Sequence, residues 1–398
     1  MMVRLCARAQ KPAQQWAGPA ADDQYNLENA TRTYVVTAFV DESIVFVDDQ
    51  ISTGVFLNSG QTAALSVPPG GKVSCRPTAY NNLNNRYPFA AYIQNASNRA
   101  QQLIPERFAG HILPFSIERN ANATRVTVKA LGATTVTLSD ETTNTVLATQ
   151  SLAAGQFAQL VASLPSQDRA YAVRSGSADV LVGTYDDNQD WSPALRSIPG
   201  QTLYGFRSQQ VNLSGVRENI GSTPYTLRRD NTATAFNQDL NEGQNSGDDY
   251  YAANPAHFDN GRSLEGPAMS VTPVNPTDIL AIRSTADGNG TEAAPWFMAG
   301  DFSDTYFVSG VGQVAWVSCI SAIPGNVEIR RIDNDALLAS GSLTGNATAQ
   351  VKHYYATSFT TGNNITVPFK ILADVPVGAW ADLNNSDETY LIGASRVG

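Results

Sequence analysis

Lysine is scarce in this chain, which has only Lys11, Lys72, Lys129, Lys352 and Lys370 among its 398 residues. Acidic residues outnumber Lys and Arg by 36 to 26, and the formal net charge is -10. A surface that binds nucleic acid needs clustered cations to neutralise phosphates, and the sequence contains no such cluster. We therefore expect no nucleic-acid partner.

Cysteine and long apolar runs are also rare. The three cysteines, Cys6, Cys75 and Cys319, cannot close a disulfide framework, and their spacing is not that of metal ligands. No stretch approaches the roughly 20 apolar residues of a membrane helix, and the N-terminus lacks the apolar run of a secretory signal. We expect no membrane insertion, and we expect Cys75 and Cys319, which lie in strand patterns, to be buried.

Motifs for catalysis are missing as well. The histidines His111, His257 and His353 lie far apart, and no Walker loop, zinc-protease motif or nucleophile elbow is present. Each histidine is interpreted as a surface or packing residue. The sequence therefore predicts no catalytic residue and a chain that is not an enzyme.

Carboxylate pairs offer the one route to an enzymatic alternative, because glycosidases work with two carboxyl groups. The candidates are Asp186, Asp187 and Asp190 in one turn, and Asp248 and Asp249 in another. Turns rich in Asp and Asn are ordinary in β proteins. A tail-associated polysaccharide-degrading enzyme is kept only as an alternative function.

The chain is rich in Asn, Thr, Ser, Gln and Gly, and its apolar residues alternate with polar ones. The clearest runs are TYVVTAFV from Thr33, RVTVKAL from Arg125 and VAWVSCI from Val314. This alternation predicts half-buried strands. Short helices are expected only over 98–110 and 225–240. The predicted fold class is mainly β, with sandwich or jelly-roll-like units.

The strand patterns recur in one order, which indicates internal duplication. Each alternating run is followed by a second strand and turn: IVFVDD from Ile44, VTLSDE from Val136 and VEIRRIDND from Val327. A third segment carries Leu and often Gly-Gln: VFLNSGQ from Val55, VLATQSLAAGQ from Val146 and LLASGSLTGNA from Leu337. Further on, SADVLVGTYDDNQD from Ser177 matches LADVPVGAWADLNNSD from Leu372, and the lead-ins over 90–115 and 280–308 match each other.

These repeats predict a division of the chain into an arm, three β units and an excursion. The predicted segments are an extended N-terminal arm over 1–30, β units over 31–89, 90–191 and 278–398, and an irregular excursion over 192–277. Long irregular segments are usually functional or contact a partner. The excursion is therefore the predicted interface or binding region.

Candidate site residues come from the excursion and from one Gly-rich turn. Aromatic and Arg side chains anchor binding surfaces, and the excursion carries Tyr250, Tyr251, His257, Phe258 and Arg262. These residues suit a subunit interface or a glycan on a host surface.

A metal candidate lies in the turn DGNGTE, where Asp287, Asn289 and Glu292 alternate oxygen donors with glycines. Such donors suit calcium. A Gly-rich turn explains the same residues without an ion and is the favoured interpretation, so no cofactor is expected unless calcium binds there.

The segment TYVVTAFVDESIVFVDD, followed by LNSGQ and a Gly-rich turn, resembles the β repeats of tailed-bacteriophage virion proteins. It also resembles the N-terminal β domain of immunoglobulin-Fc-binding-type surface proteins. The first resemblance implies a tail, fibre-associated or head-decoration protein that is located in the virion, forms homo-oligomers and contacts other virion proteins. The alternative from a different class is a secreted or cell-surface adhesin that binds glycans.

Overall fold

The structure is a computed structural model. It describes residues 22–78, 85–94, 100–116, 125–141, 143–161, 164, 170–185, 191–206, 210–216, 223–229, 236–240, 268–276, 279–285, 293–309, 314–345, 354–383 and 387–390. The described residues form antiparallel β-sheets joined by turns, which confirms the predicted mainly-β fold class. Their only helical segments are the short 3₁₀ turns Ile51–Thr53, Glu106–Phe108 and Ala299–Asp301.

The first strands along the chain form a two-sheet sandwich, called unit I. Its strands are β1 (Gln24–Tyr25), β2 (Arg32–Ala38), β3 (Ser43–Val47), β4 (Val55–Leu57), β5 (Thr62–Val67), β6 (Lys72–Pro77), β7 (Phe89–Gln94) and β8 (Ala100–Gln102). One sheet has the order β4-β3-β6-β1 and the other β5-β2-β7-β8. A further short strand, β9 (Ile104–Pro105), pairs with β1.

Unit II repeats this strand order. Its strands are β10 (Ile112–Ser116), β11 (Arg125–Ala130), β12 (Thr134–Asp140), β13 (Thr145–Leu152), β14 (Phe157–Val161), β15 (Ala170–Ser175), β16 (Val180–Tyr185) and β17 (Trp191–Ala194). The sheets have the orders β13-β12-β15-β10 and β14-β11-β16-β17. In both units the first strand therefore pairs with the sixth, and the second lies between the fifth and the seventh.

The next strands, called unit III, follow the same order. They are β18 (Leu203–Phe206), β19 (Gln210–Val216), β20 (Thr223–Arg229), β21 (Phe236–Leu240), β22 (Ala268–Pro273), β23 (Ile279–Thr285) and β24 (Ala293–Pro295). The sheets are β21-β20-β22-β18 and β19-β23-β24, and β25 (Phe297–Met298) pairs with β18 as β9 pairs with β1. Only the fifth position of the order has no strand among the described residues.

Unit IV completes the series. Its strands are β26 (Ser303–Val308), β27 (Val314–Ser321), β28 (Gly325–Arg331), β29 (Leu337–Leu343), β30 (Tyr355–Ile365), β31 (Phe369–Leu383) and β32 (Asp387–Tyr390). The long β31 serves as both sixth and seventh strand. Its first part pairs with β26 and β28, and its second part pairs with β27 and β32.

Several sequence interpretations are corrected by these pairings. The described strands form four units where three were predicted. The extended arm expected over 1–30 contains β1, which is paired with β6 and β9. The excursion over 192–277 is not irregular where the structure describes it, because β18 to β22 lie there and repeat the order of unit I. The strand patterns on either side of its Asn- and Gly-rich stretch are weak, so the sequence did not predict these strands. The helices expected over 98–110 and 225–240 were also wrong: β8, β9 and a 3₁₀ turn occupy the first range, and parts of the hairpin β20–β21 occupy the second.

Apolar side chains from both sheets fill the sandwich interiors. In unit I the fully buried set includes Val36, Val45, Val73 and Cys75, as strand alternation requires. Equivalent clusters fill unit II and unit IV. The prediction that Cys75 and Cys319 are buried is confirmed.

The Gly-Gln signal of the sequence marks the turn after the fourth strand in units I and II. The amides of Asn58 and Ala153 donate to the side-chain oxygens of Gln61 and Gln156, at 2.8 and 2.9 Å. The glycine before each Gln has a positive φ, +78° at Gly60 and +74° at Gly155. The same turn chemistry therefore leads from the fourth strand in one sheet to the fifth strand in the other in two units.

Candidate functional site

The predicted site residues all lie outside the described residues. This holds for Tyr250, Tyr251, His257, Phe258 and Arg262 in the excursion, for Asp287, Asn289 and Glu292 in the Gly-rich turn, and for the carboxylate candidates Asp186, Asp187, Asp190, Asp248 and Asp249. The interface, glycan and calcium assignments for these residues stay predictions.

The most extensive contact that the structure adds is an apolar cluster between the units, called the junction cluster. It contains residues from all four units and from the connectors between them. Its buried members are Tyr25, Leu27, Ile104, Phe108, Ala109, Leu181, Tyr204, Phe297, Ile320, Tyr354, Ala356 and Trp380. Several of these side chains point away from a sandwich interior, so they belong to packing between units.

Phe297 of β25 holds the junction cluster together by ring contacts. Its ring stacks on Phe108, with centroids 5.7 Å apart, and lies against Trp380 at 5.3 Å. Phe108 belongs to the connector between units I and II, whereas Trp380 belongs to β31 of unit IV. Such aromatic pairs stabilise beyond the area that they bury. The connector rings thus join the first half of the chain to the second.

Ion pairs and hydrogen bonds border the junction cluster. Arg196, just after β17, contacts the carboxylate of Asp301 at 2.8 Å, and the Asp301 side chain is only 2% exposed. Thr127 donates a 2.6 Å hydrogen bond to the Leu27 carbonyl, which joins units I and II. The Lys129 ammonium lies 5.9 Å from the centre of the Tyr25 ring. Burial lowers the pKa of Lys129 and raises that of Tyr25.

A buried ion network fixes the start of unit I. Two oxygens of Asp23 accept from the Arg76 guanidinium at 2.8 and 3.0 Å, and both residues are buried. Arg86 bridges this pair to Glu106 of the connector. Both hydrogen bonds come from one guanidinium nitrogen, and charge-assisted bonds are stronger than neutral ones, so the network holds β1 and β6 against the connector. Its charges are matched within the fold.

Among the residues that the structure describes, His111 is the one histidine, and it lies beside a serine and an aspartate. Its Nδ1 lies 3.1 Å from the Ser175 hydroxyl, and its Nε2 lies 3.3 Å from a carboxylate oxygen of Asp179. The Ser175 hydroxyl, however, donates to the Ala178 carbonyl at 2.6 Å. A nucleophilic serine must give its proton to the imidazole instead. These contacts thus stabilise a turn of unit II, in line with the surface role predicted for His111.

Within the described ranges, no three His, Cys, Asp or Glu side chains are grouped as metal ligands. The part of the chain that the structure describes also has no helix with the length and hydropathy needed to cross a membrane.

The matching lead-ins, which indicate duplication in the sequence, also supply residues of the junction cluster. The matching lead-ins over 90–115 and 280–308 contain β9 and β25 with their 3₁₀ turns, which supply Phe108 and Phe297. Comparison with models of protein families finds no match, and comparison with curated proteins finds none either. Function is therefore argued from the geometry of the chain itself.

Proposed function

We propose that this chain is a non-enzymatic structural component of a bacteriophage virion, which assembles through subunit contacts in the tail, at a fibre attachment or on the capsid surface. The proposal joins the resemblance of the first β repeat to virion proteins with one structural observation. That observation is a set of exposed apolar side chains on edge strands.

The fourth strand lies at the edge of its sheet in each unit where these side chains occur. On β4, Val55 and Phe56 are 37% and 64% exposed; on β13, Val146 is 60% exposed; on β29, Leu337 and Leu338 are 50% and 40% exposed. An edge strand offers unpaired backbone groups, and exposed apolar side chains beside them favour association. Such edges are suited to bind protein partners, including further copies of this chain.

The interior of the chain supports a structural role as well. The buried charges of Asp23 and Asp301 pair within the fold, and the Ser175 hydroxyl is committed to a backbone carbonyl. Described polar groups thus maintain the packing of units. This is the arrangement expected of a building block that presents surfaces rather than a cleft.

Quantitative mass spectrometry of particles from the source tests the proposal. Particles purified on a density gradient should contain this chain in a fixed ratio to the major virion protein. Phe56→Ser and Leu337→Ser should each reduce the copies per particle. Ile323→Ser is the matched control, because Ile323 is 50% exposed but lies in the turn between β27 and β28.

Other outcomes would support a different function. Absence from purified particles, together with presence on cell surfaces, would contradict the proposal and favour a glycan-binding adhesin. Polysaccharide cleavage by the purified chain, lost on replacing Asp186 or Asp248, would contradict the non-enzymatic assignment.

A further inference from the structure

The repeating element of this chain is a pair of sandwich units. Units I and III each carry an additional strand on the first strand, β9 on β1 and β25 on β18. The registers match: Tyr25 lies opposite Ile104, and Tyr204 lies opposite Phe297. A 3₁₀ turn follows each additional strand. Units I and II are called the first block, and units III and IV the second block.

The two blocks touch each other through contacts that occur twice. The seventh strand of unit I contacts the first strand of unit IV (β7 and β26), and the seventh strand of unit III contacts the first strand of unit II (β23 and β10). The eighth strands repeat this relationship, with β8 against β32 and β24 against β17. Reciprocal contacts of this kind relate the two blocks approximately as an isologous, twofold interface relates two identical subunits.

The junction cluster follows the same symmetry. Tyr25 and Ile104 from the first block correspond to Tyr204 and Phe297 from the second, and all four belong to the cluster. The residue that ends each 3₁₀ turn, Ala109 or Phe302, also lies in or against it. Corresponding residues of the two blocks therefore belong to one cluster, as they do at the centre of a twofold dimer interface.

We propose that the surface between the blocks is a self-complementary dimer interface, and that the partner it fits can be a second copy of this chain. The first block of one copy would then pair with the second block of another. The covalent link between blocks supports this exchange. It is the turn around Ile198, which is 48% exposed, with Gly200 at a φ of +74° and a 3.3 Å hydrogen bond from the Gln201 amide to the Ile198 carbonyl.

Cleavage at this turn tests the proposal on the whole chain. A protease recognition sequence is inserted between Ile198 and Pro199, and the folded protein is cut. Native mass spectrometry should then find both halves in one complex of unchanged mass. Halves that separate or unfold after the cut would overturn the proposal. This outcome is independent of any role in a virion, because no particle is involved.

Isotope mixing tests the partnership with a second copy. Cut protein with natural isotopes and cut protein labelled with nitrogen-15 are unfolded together in urea and refolded. Hybrid complexes of one light and one heavy half should form in the proportion of random pairing. Recovery of separate light and heavy complexes alone, or no refolded complex, would overturn the proposal.

Variants at the interface sharpen both experiments. Asp301→Asn removes the charge of a buried carboxylate that pairs with the partly exposed Arg196 across the two blocks, so dissociation of the cut complex should be about tenfold faster or more. Asp333→Asn is the matched control, because its pair with Arg331 is exposed and lies within unit IV. Equal rates for the two variants would contradict the assigned interface.

Discussion

Phe39 of unit I stacks on Phe307 of unit IV, with ring centroids 4.9 Å apart and planes inclined by 27°. Both rings are buried, and they lie in the same core cluster as Val317 and Ile371 of unit IV. The first unit of the chain therefore contributes directly to the core of the last. This contact closes the arrangement of units, because units II and III also touch through β10 and β23.

Truncation of Phe307 tests how much this contact stabilises the protein. Phe307→Ala removes a buried ring and its partner contact, so the free energy of unfolding should fall by about 3–5 kcal/mol. Phe56→Ala is the control, since the Phe56 ring is 64% exposed and its loss should change stability by no more than about 0.5 kcal/mol. Urea unfolding followed by circular dichroism measures both. Similar midpoints for the two variants would contradict the buried contact.

The strands could be predicted from sequence, whereas their partners could not. Period-two alternation located β2, β11 and β27, and the Gly-Gln turn located the end of the fourth strand. Alternation fixes which face a residue occupies but not which distant strand lies beside it. The stacking of Phe39 on Phe307 joins residues at opposite ends of the chain, so no local pattern could indicate it.

Unit III shows why one repeat was missed. Its second strand, QVNLSGV, alternates only as far as Leu213 and then carries Ser214 and Gly215, whereas β2 continues to Ala38, so its alternating run is short. The junction residues were missed for a related reason. Phe108 and Phe297 belong to short connector segments, whose packing depends on tertiary contacts rather than on local periodicity.

Alanine substitutions at Gly70 and Gly155 compare the cost of backbone strain alone with the cost of strain plus a steric clash. Gly70 and Gly155 both have positive φ, but a Cβ at Gly70 would lie 2.4 Å from the Cβ of Phe157 in unit II, and one at Gly155 meets nothing within 4 Å. Gly155→Ala should cost about 1–2 kcal/mol for its conformation alone. Gly70→Ala should cost more, because units I and II must also move apart. Equal losses in thermal unfolding would show that the Gly70 contact is not tight.

The buried thiols of Cys75 and Cys319 should be unreactive towards alkylating reagents in the folded protein. Burial raises the pKa of Cys75 and of Cys319 to about 12, and the reactive species is the thiolate. Iodoacetamide at neutral pH should modify neither residue in the native chain and both after denaturation. Mass spectrometry of digested peptides distinguishes them from Cys6. Modification of native Cys319 would contradict the close packing of unit IV.

Stability should respond to pH through Asp22. Burial, which outweighs the attraction of Arg107, raises the pKa of Asp22 above its ordinary 3.8. Its carboxyl thus binds a proton more strongly in the folded state, and its ionisation destabilises the fold as pH rises through the folded pKa. Asp22→Asn should therefore be more stable than the parent at neutral pH. That advantage should shrink as pH falls and disappear below 3.8.

The control for Asp22 is Asp333, a carboxyl whose pKa is lowered instead of raised. A hydrogen bond from Arg331 lowers the pKa of exposed Asp333, so Asp333→Asn should reduce stability at neutral pH and lose its effect in acid. Thermal unfolding across the acidic range measures both variants. The same sign for the two substitutions at neutral pH would contradict the assigned burial of Asp22.

The most direct test of the virion proposal is electron microscopy of purified particles labelled with an antibody against this chain. We expect label at a regular position on the particle, on the head for a decoration protein or on the tail for an assembly or attachment protein. Unlabelled particles, with the antibody bound to cell surfaces instead, would contradict a structural role in the virion.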